Sequence, residues 1–204
     1  MQDAGSCILY PASCIGQSVA ISLYSISFEW SRNREKQMRL YIVRHAIALP
    51  QDTPGVRDED RVLTEEGAKK MRLAAAGLRS LGYIPDLLLS SPLIRAVQTA
   101  EILLQTFGAG LEMKISATLA PSGNRQDLYR EIARYERKLD SLMIVGHQPS
   151  LGEIAGEIAW GSPEYWVDLK KGGACAIEID NVQGIPRGHL ISLLTPSILR
   201  KISI

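Results

Sequence analysis

Apolar residues fall along the chain in short compact runs that alternate with longer stretches of helical spacing. Arg39 to Arg44 (RLYIVR) is a β-branched and aromatic run that predicts a buried strand, and it stops at His45. After a polar loop, Thr64 followed by Glu65 and Glu66 has the form of an N-cap with acids in the first turn. Ala68, Met71, Ala75, Leu78 and Leu81 then recur on one helical face before Gly82. Asp86 to Leu89 predicts a second strand. Ser91 and Pro92 read as N-cap and first-turn proline of a helix whose apolar face is Leu93, Ala96, Val97, Ala100, Leu103, Leu104 and Phe107. The Ser, Pro and Gly of Ala120 to Asn124 mark a loop, and a polar helix follows near Gln126 to Leu139. Ser141 to Val145 is another apolar strand, ending at Gly146-His147, and Leu151, Ile154, Ala155 and Ile158 mark the next helix. Ala174 to Ile179 and His189 to Leu194 supply two more strands. This alternation predicts an α/β three-layer sandwich, a mostly parallel central sheet with helices on both faces. No internal repeat is visible.

The amino end does not share the pattern. From Ala4 to Phe28 no charged residue occurs, and then Glu29, Arg32, Arg34, Glu35 and Lys36 arrive together. Ser6, Ser13, Ser18, Ser22, Ser25 and Ser27, with Pro11, Gly16 and Gln17, dilute the apolar run too far for a spanning helix. No basic segment precedes it and no small-residue cleavage site follows, so it does not read as a signal peptide either. Residues 1–37 are expected to be an extension, poorly ordered or upstream of a true start at Met38, and residues 38–204 the working domain.

Composition narrows the function class. The chain has 204 residues, 46% hydrophobic and 22% charged, enough to bury a full core, which excludes disordered, collagenous and coiled-coil classes. Lys and Arg total 23 against 22 Asp and Glu, a formal charge of +1. This balance argues against binding nucleic acid or acidic membranes through a global field, so any anion must be met locally. Three cysteines (Cys7, Cys14, Cys175) are odd in number and sparse, which fits a reducing compartment, the cytoplasm by default.

In open α/β sheets, sites collect at the carboxyl ends of strands. Here the first strand delivers Arg44-His45, the second the turn before Arg95, and the third His147. Arginine presents a planar fork suited to phosphate oxygens, so Arg44 and Arg95 from different elements build an anion pocket. Arg95 lies one turn into its helix, where N–H groups and the helix dipole add to the pocket. Taken singly, each residue also reads as ordinary: a strand-end histidine held by a hydrogen bond, or an arginine in a surface ion pair. His189, with no partner motif, reads as structural.

Arg44-His45 after the first strand, SSPLIRAVQTA from Ser90 to Ala100 and VGHQP from Val145 to Pro149 together resemble the histidine phosphatase superfamily, which includes phosphoglycerate mutases and acid phosphatases. The resemblance runs in order over most of Met38 to Leu194. RVLTEEG (Arg61 to Gly67), LAPSG (Leu119 to Gly123) and the compact length look most like the SixA-type phosphohistidine phosphatases. The resemblance implies that His45 is the nucleophile, that Arg44 and Arg95 hold the phosphoryl oxygens, that His147 completes the pocket and that Arg61 lines its edge. Where the family signature is Arg-His-Gly this chain has Ala46, so a position free to take any backbone angle carries a Cβ.

For such chemistry His45 has to be neutral. Two neighbouring guanidinium groups disfavour its protonation while attracting a dianionic substrate. No metal or other cofactor is expected, since HExxH, Cys/His ligand spacing and GxxxxGK are all missing from the sequence. Superfamily members that expel an alkoxide carry a Glu or Asp as general acid after the second Arg motif. Leu119 to Asn124 offers no carboxylate, which favours a leaving group that departs easily, such as that of a phosphoramidate. Asp58, Glu59 and Asp60 are either solvated loop charges or acids able to swing in. Three readings follow. One is a phosphohistidine phosphatase acting, through a covalent phosphohistidine intermediate, on a phosphotransfer domain or phosphocarrier protein. The second is a broad small-molecule phosphomonoesterase, and the third a non-catalytic phosphate-binding module.

Overall fold

A computed structural model of the chain describes residues 37–136 and 138–203. Apart from Gln37, the extension expected over 1–37 lies outside the described residues. Cys7 and Cys14 lie there too.

Six strands form one sheet in the order β3-β2-β4-β1-β5-β6. They are β1 (Met38–Arg44), β2 (Leu87–Ser90), β3 (Glu112–Ile115), β4 (Ser141–Gly146), β5 (Ala174–Asn181) and β6 (Arg187–Leu194). The pairings among β1, β2, β3 and β4 are parallel, and β5 and β6 join antiparallel to give a mostly parallel sheet. Among the described residues five α-helices accompany it: α1 (Glu65–Ser80), α2 (Ile94–Phe107), α3 (Arg125–Ala133), α4 (Ser150–Trp160) and α5 (Pro196–Ile202).

The alternation of side chains along each strand divides the core into two halves. Leu40 and Ile42 of β1, with Leu142 and Ile144 of β4, pack against Leu128 and Ile132 of α3 and Leu151, Ile154 and Ile158 of α4. Tyr41, Val43, Met143 and Val145 point the other way, onto Met71 and Leu78 of α1, Ala96 and Leu103 of α2 and Leu199 of α5. With helices on both faces, strands β1 and β4 are buried on both sides, so they read in the sequence as continuous apolar runs rather than as alternating ones. Each fully buried Leu or Ile contributes about 2 kcal/mol.

Several expectations need correction. Ser91 and Pro92 do not start a helix: α2 begins at Ile94, its N-cap is Leu93, and no side chain caps it. The Ser91 hydroxyl is instead engaged with His147. The polar helix expected from Gln126 to Leu139 ends at Ala133 and continues only as turns, with Leu139 N–H on the Tyr135 carbonyl. Strand β3 escaped notice because it is an edge strand with three of its four residues exposed, so it carries no apolar pattern. Helix α5 was also missed, although Thr195 caps it by accepting the Ile198 N–H and Pro196 opens its first turn.

Candidate active site

Strands β2, β4 and β1 are neighbours running in one direction, so their carboxyl ends lie side by side. The hydrogen-bonded ladder continues one step past the strands, with His45 N–H on the Gly146 carbonyl at 3.0 Å and Ser91 N–H on the Val145 carbonyl at 2.9 Å. His45, His147 and Ser91 are thereby fixed at one edge of the sheet by backbone. The two imidazole rings stand 5.1 Å apart between centroids, and both histidines are buried, 6% and 4% exposed.

His45 Nδ1 lies 2.8 Å from the Ala46 carbonyl oxygen. A carbonyl only accepts, so Nδ1 carries the proton and Nε2 keeps its lone pair. Burial pushes the His45 pKa down to about 3. The Ala46 hydrogen bond opposes this, and His147, Arg95 and Arg44 add to the lowering. The imidazole is therefore neutral and nucleophilic throughout the physiological range. The Cβ of Ala46 is accommodated: the residue is buried in the core beside Val43 and Met71, and its N–H donates to Thr99 Oγ1 at 3.0 Å.

His147 Nε2 is 2.8 Å from Ser91 Oγ. Ser91 Oγ also accepts the Leu93 N–H at 3.4 Å; in the tautomer in which the Ser91 hydroxyl donates to Nε2, Nδ1 of His147 carries the N–H. Burial, followed by the charge of Arg95, pushes the His147 pKa down to about 4. Arg44 Nη1 donates to the Leu169 carbonyl at 2.8 Å, and burial lowers its pKa against the attraction of Asp168. Arg95, only 3% exposed, donates from Nη1 to the Asp58 carbonyl at 2.6 Å and from Nη2 to Asp58 Oδ2 at 3.0 Å. Among the described residues, three buried side-chain nitrogens have no hydrogen-bond partner: Arg44 Nε, Arg95 Nε and His147 Nδ1. A buried donor without an acceptor costs about 1–3 kcal/mol, so this set is suited to a ligand rich in acceptor oxygens, as a phosphoryl group is.

The sequence profile of the histidine phosphatase superfamily (branch 1) matches residues 40–154. The chain belongs to the histidine phosphatase superfamily. An uncharacterized protein of Picosynechococcus sp. is 40% identical over 165 residues, 79% of this chain and 99% of the relative. Among solved structures, the protein histidine phosphatase SixA complexed with tungstate matches with a TM-score of 0.70 at 23% identity, over 79% of this chain and 99% of that one. A candidate phosphohistidine phosphatase SixA from Agrobacterium tumefaciens matches with a TM-score of 0.63 at 28% identity, over 78% and 98%. The chain is thus a histidine phosphatase superfamily phosphatase, with a six-stranded α/β sandwich that similar structures share.

Within this superfamily member the structure brings Arg44, His45, Arg95 and His147 to one edge of the sheet, with Arg61 behind them. Arg61 donates from Nη1 to the Leu49 carbonyl at 2.8 Å and from Nη2 to Asp58 Oδ1 at 2.5 Å. The reading of Asp58 as a solvated loop charge is corrected: its carboxylate bridges Arg95 and Arg61. Its partial burial raises its pKa, but the hydrogen bonds and charges of Arg61 and Arg95 outweigh that and hold it below the usual carboxylate range. Glu59 and Asp60 do keep to the surface, paired with Arg57 at 2.8 and 2.7 Å. His189 stands apart on β6, its side chain 75% exposed and 3.0 Å from Asp180. Sequence reasoning missed Ser91, the Leu169 carbonyl and the bridging role of Asp58. The serine that follows the second strand in SSPLIRA was the one available signal, and it was spent on a helix cap. Among the described residues no group of three or more His, Cys, Asp or Glu is placed to hold a metal ion. No helix of the described residues is long and apolar enough to cross a membrane.

Proposed function

We propose that this chain is a phosphohistidine phosphatase that removes phosphate from a histidine-phosphorylated phosphotransfer domain or phosphocarrier protein. The observation that carries this reading is the state of Asp58. It is the carboxylate that meets the arginine cluster, and two guanidinium groups keep it ionised, so it has no proton to give at neutral pH. A site without a protonated acid suits a leaving group that departs without strong help, and a phosphoramidate nitrogen is one, whereas an alkoxide is not.

In this reading Nε2 of His45 attacks phosphorus in line. The new N–P bond forms as the substrate's own P–N bond breaks, and the partner histidine leaves with its electron pair and takes a proton from water. Charge on the equatorial oxygens is met by Arg44, Arg95 and His147 through Nε, Nε and Nδ1. Water then attacks the phosphorylated His45, the N–P bond breaks, and inorganic phosphate and neutral His45 are released. The compartment proposed is the cytoplasm, where such carriers work.

The test is phosphate release from a phosphohistidine-bearing protein against a panel of phosphate monoesters, with His45→Ala as control. Preferential cleavage of the phosphoprotein, with an acid-labile, base-stable phosphate trapped on His45, is expected. Rapid turnover of a sugar phosphate with the phosphoprotein left intact overturns the reading in favour of a small-molecule phosphomonoesterase. Tight phosphate binding without turnover of either marks a binding module.

A further inference from the structure

Arg44 is held by residues far along the chain, in the segment between α4 and β5. Its N–H donates to the Gly173 carbonyl, and its own carbonyl, with that of His45, accepts the Gly172 N–H, each at 3.1 Å. Its side chain donates from Nη1 to the Leu169 carbonyl at 2.8 Å, and the neighbouring Asp168 adds an attracting charge. With Nη1 taken in this way, the buried Nε is left for a ligand. Whatever fixes Leu169 therefore fixes the angle at which the guanidinium enters the pocket.

Leu169 is fixed by Val167. The Leu169 N–H donates to the Val167 carbonyl at 3.0 Å, closing a three-residue turn around Asp168. The same carbonyl accepts a second hydrogen bond, from Gln148 Nε2 at 2.7 Å, and Gln148 Oε1 in turn accepts the Gly152 N–H at 2.7 Å. An amide oxygen only accepts and an amide nitrogen only donates, so the Gln148 side chain has one orientation here. The Val167 N–H on the Gly152 carbonyl, at 3.0 Å, closes the ring. Gly152 leaves room for it: a Cβ there would sit 2.3 Å from the Val167 carbonyl oxygen and 2.9 Å from both polar atoms of the Gln148 amide. A role confined to the start of α4 would need only Oε1 of Gln148. Its Nε2 reaches the segment that holds Arg44.

We propose that Gln148 is a positioning residue for Arg44. Through the Val167 carbonyl and the Leu169 turn it sets the guanidinium of one pocket residue from the chain position next to another, His147. The inference rests on the role proposed above for Arg44 and adds what aims it. Gln148 uses its amide on backbone, so it acts on the chemistry only through what that backbone holds. A charged group displaced by even about 1 Å from the phosphoryl oxygens loses much of its effect on the transition state.

The experiment is a double-mutant cycle on the full chain between Gln148→Met and Arg44→Ala. It is read as kcat/KM for p-nitrophenyl phosphate and, independently of turnover, as the Kd of tungstate, a tetrahedral oxyanion, by calorimetry. Gln148→Met keeps the side chain's length and removes both polar atoms, and a thermal melt checks folding. Should it fail to fold, Gln148→Ala takes its place in the cycle. With Arg44 present, Gln148→Met is expected to lower kcat/KM and tungstate affinity about tenfold. With Arg44→Ala already in place, the same change should cost less than about twofold. An equal fall in both backgrounds, or wild-type behaviour of Gln148→Met, overturns the inference while leaving the pocket intact. Wild-type behaviour of Arg44→Ala overturns the role of Arg44 together with the inference, and a wild type that neither binds tungstate nor cleaves the ester overturns the reading of the whole pocket.

Discussion

The two halves of the sheet hold histidines in opposite circumstances. On the parallel half, β1, β4 and β2 all end at the same edge, and the residues just past each end are forced together in a buried pocket. On the antiparallel half, β5 and β6 run in opposite directions, so His189 on β6 is left beside Asp180 in solvent. The residue type is the same, and the place in the sheet makes the difference: His45 and His147 lie just past the carboxyl ends of central strands, whereas His189 sits within the edge strand β6 at a position that faces solvent. Parallel strands collect their carboxyl ends, whereas a hairpin scatters them. Collection brings burial, and burial is the first cause of the neutral state of both His45 and His147.

The largest test of this contrast is direct. His45→Ala should reduce phosphate release by at least about a thousandfold, as loss of a nucleophile does, whereas His189→Ala should leave it within about twofold. A comparable loss from His189→Ala would erase the distinction between the two halves.

Acid stability follows next. Both pocket histidines have folded pKa values, about 3 and about 4, below the ordinary 6.5, so below that value the unfolded chain binds more protons than the folded one. Stability is therefore full above about pH 6.5 and is lost as pH falls toward 4, by about 2 kcal/mol per histidine at pH 5. For a domain of this size Tm should drop by roughly 10 °C between pH 7 and pH 5. Replacing both histidines should flatten that dependence, and a profile unmoved by the double variant would contradict the burial argument.

Asp58→Asn separates positioning from proton donation. If Asp58 serves by orienting Arg95 and Arg61, kcat should fall about tenfold by the same factor for p-nitrophenyl and alkyl phosphates, a loss worth about 1.4 kcal/mol. A fall confined to the alkyl ester would make Asp58 a general acid. Ser91→Ala removes the hydroxyl hydrogen-bonded to His147 Nε2, and a somewhat smaller fall in kcat is expected, up to about tenfold and with KM unchanged. Recovery by Ser91→Thr would support a hydrogen-bonding role over a packing one. The smallest effect belongs to Ala46→Gly. It restores the superfamily's usual residue but removes a buried methyl, so activity should hold while stability falls by about 1 kcal/mol in a thermal melt.

The alternation of strands and helices was legible because each element buries an apolar face with its own period, and three motifs carried Arg44, His45, Arg95 and His147 to strand ends or first turns. Those signals are local. β3 was illegible because an exposed edge strand has no face to hide. The Ser91–Pro92 dipeptide misled because the same serine can satisfy a helix end or a neighbouring strand's histidine, and the choice is made by β2 lying beside β4. Asp58, Glu59 and Asp60 look alike along the chain, yet one meets two buried guanidinium groups and the others meet solvent and Arg57.

By itself, then, the sequence determined which residues could form strands, where those strands stop and which chemical groups sit just beyond them, because secondary structure follows from residue spacing. Only the tertiary structure decided which carboxylate is locked as an anion, which hydroxyl orients His147, and that both pocket histidines are neutral. These are consequences of burial and of contacts between residues far apart in the chain, and neither is encoded at any single position.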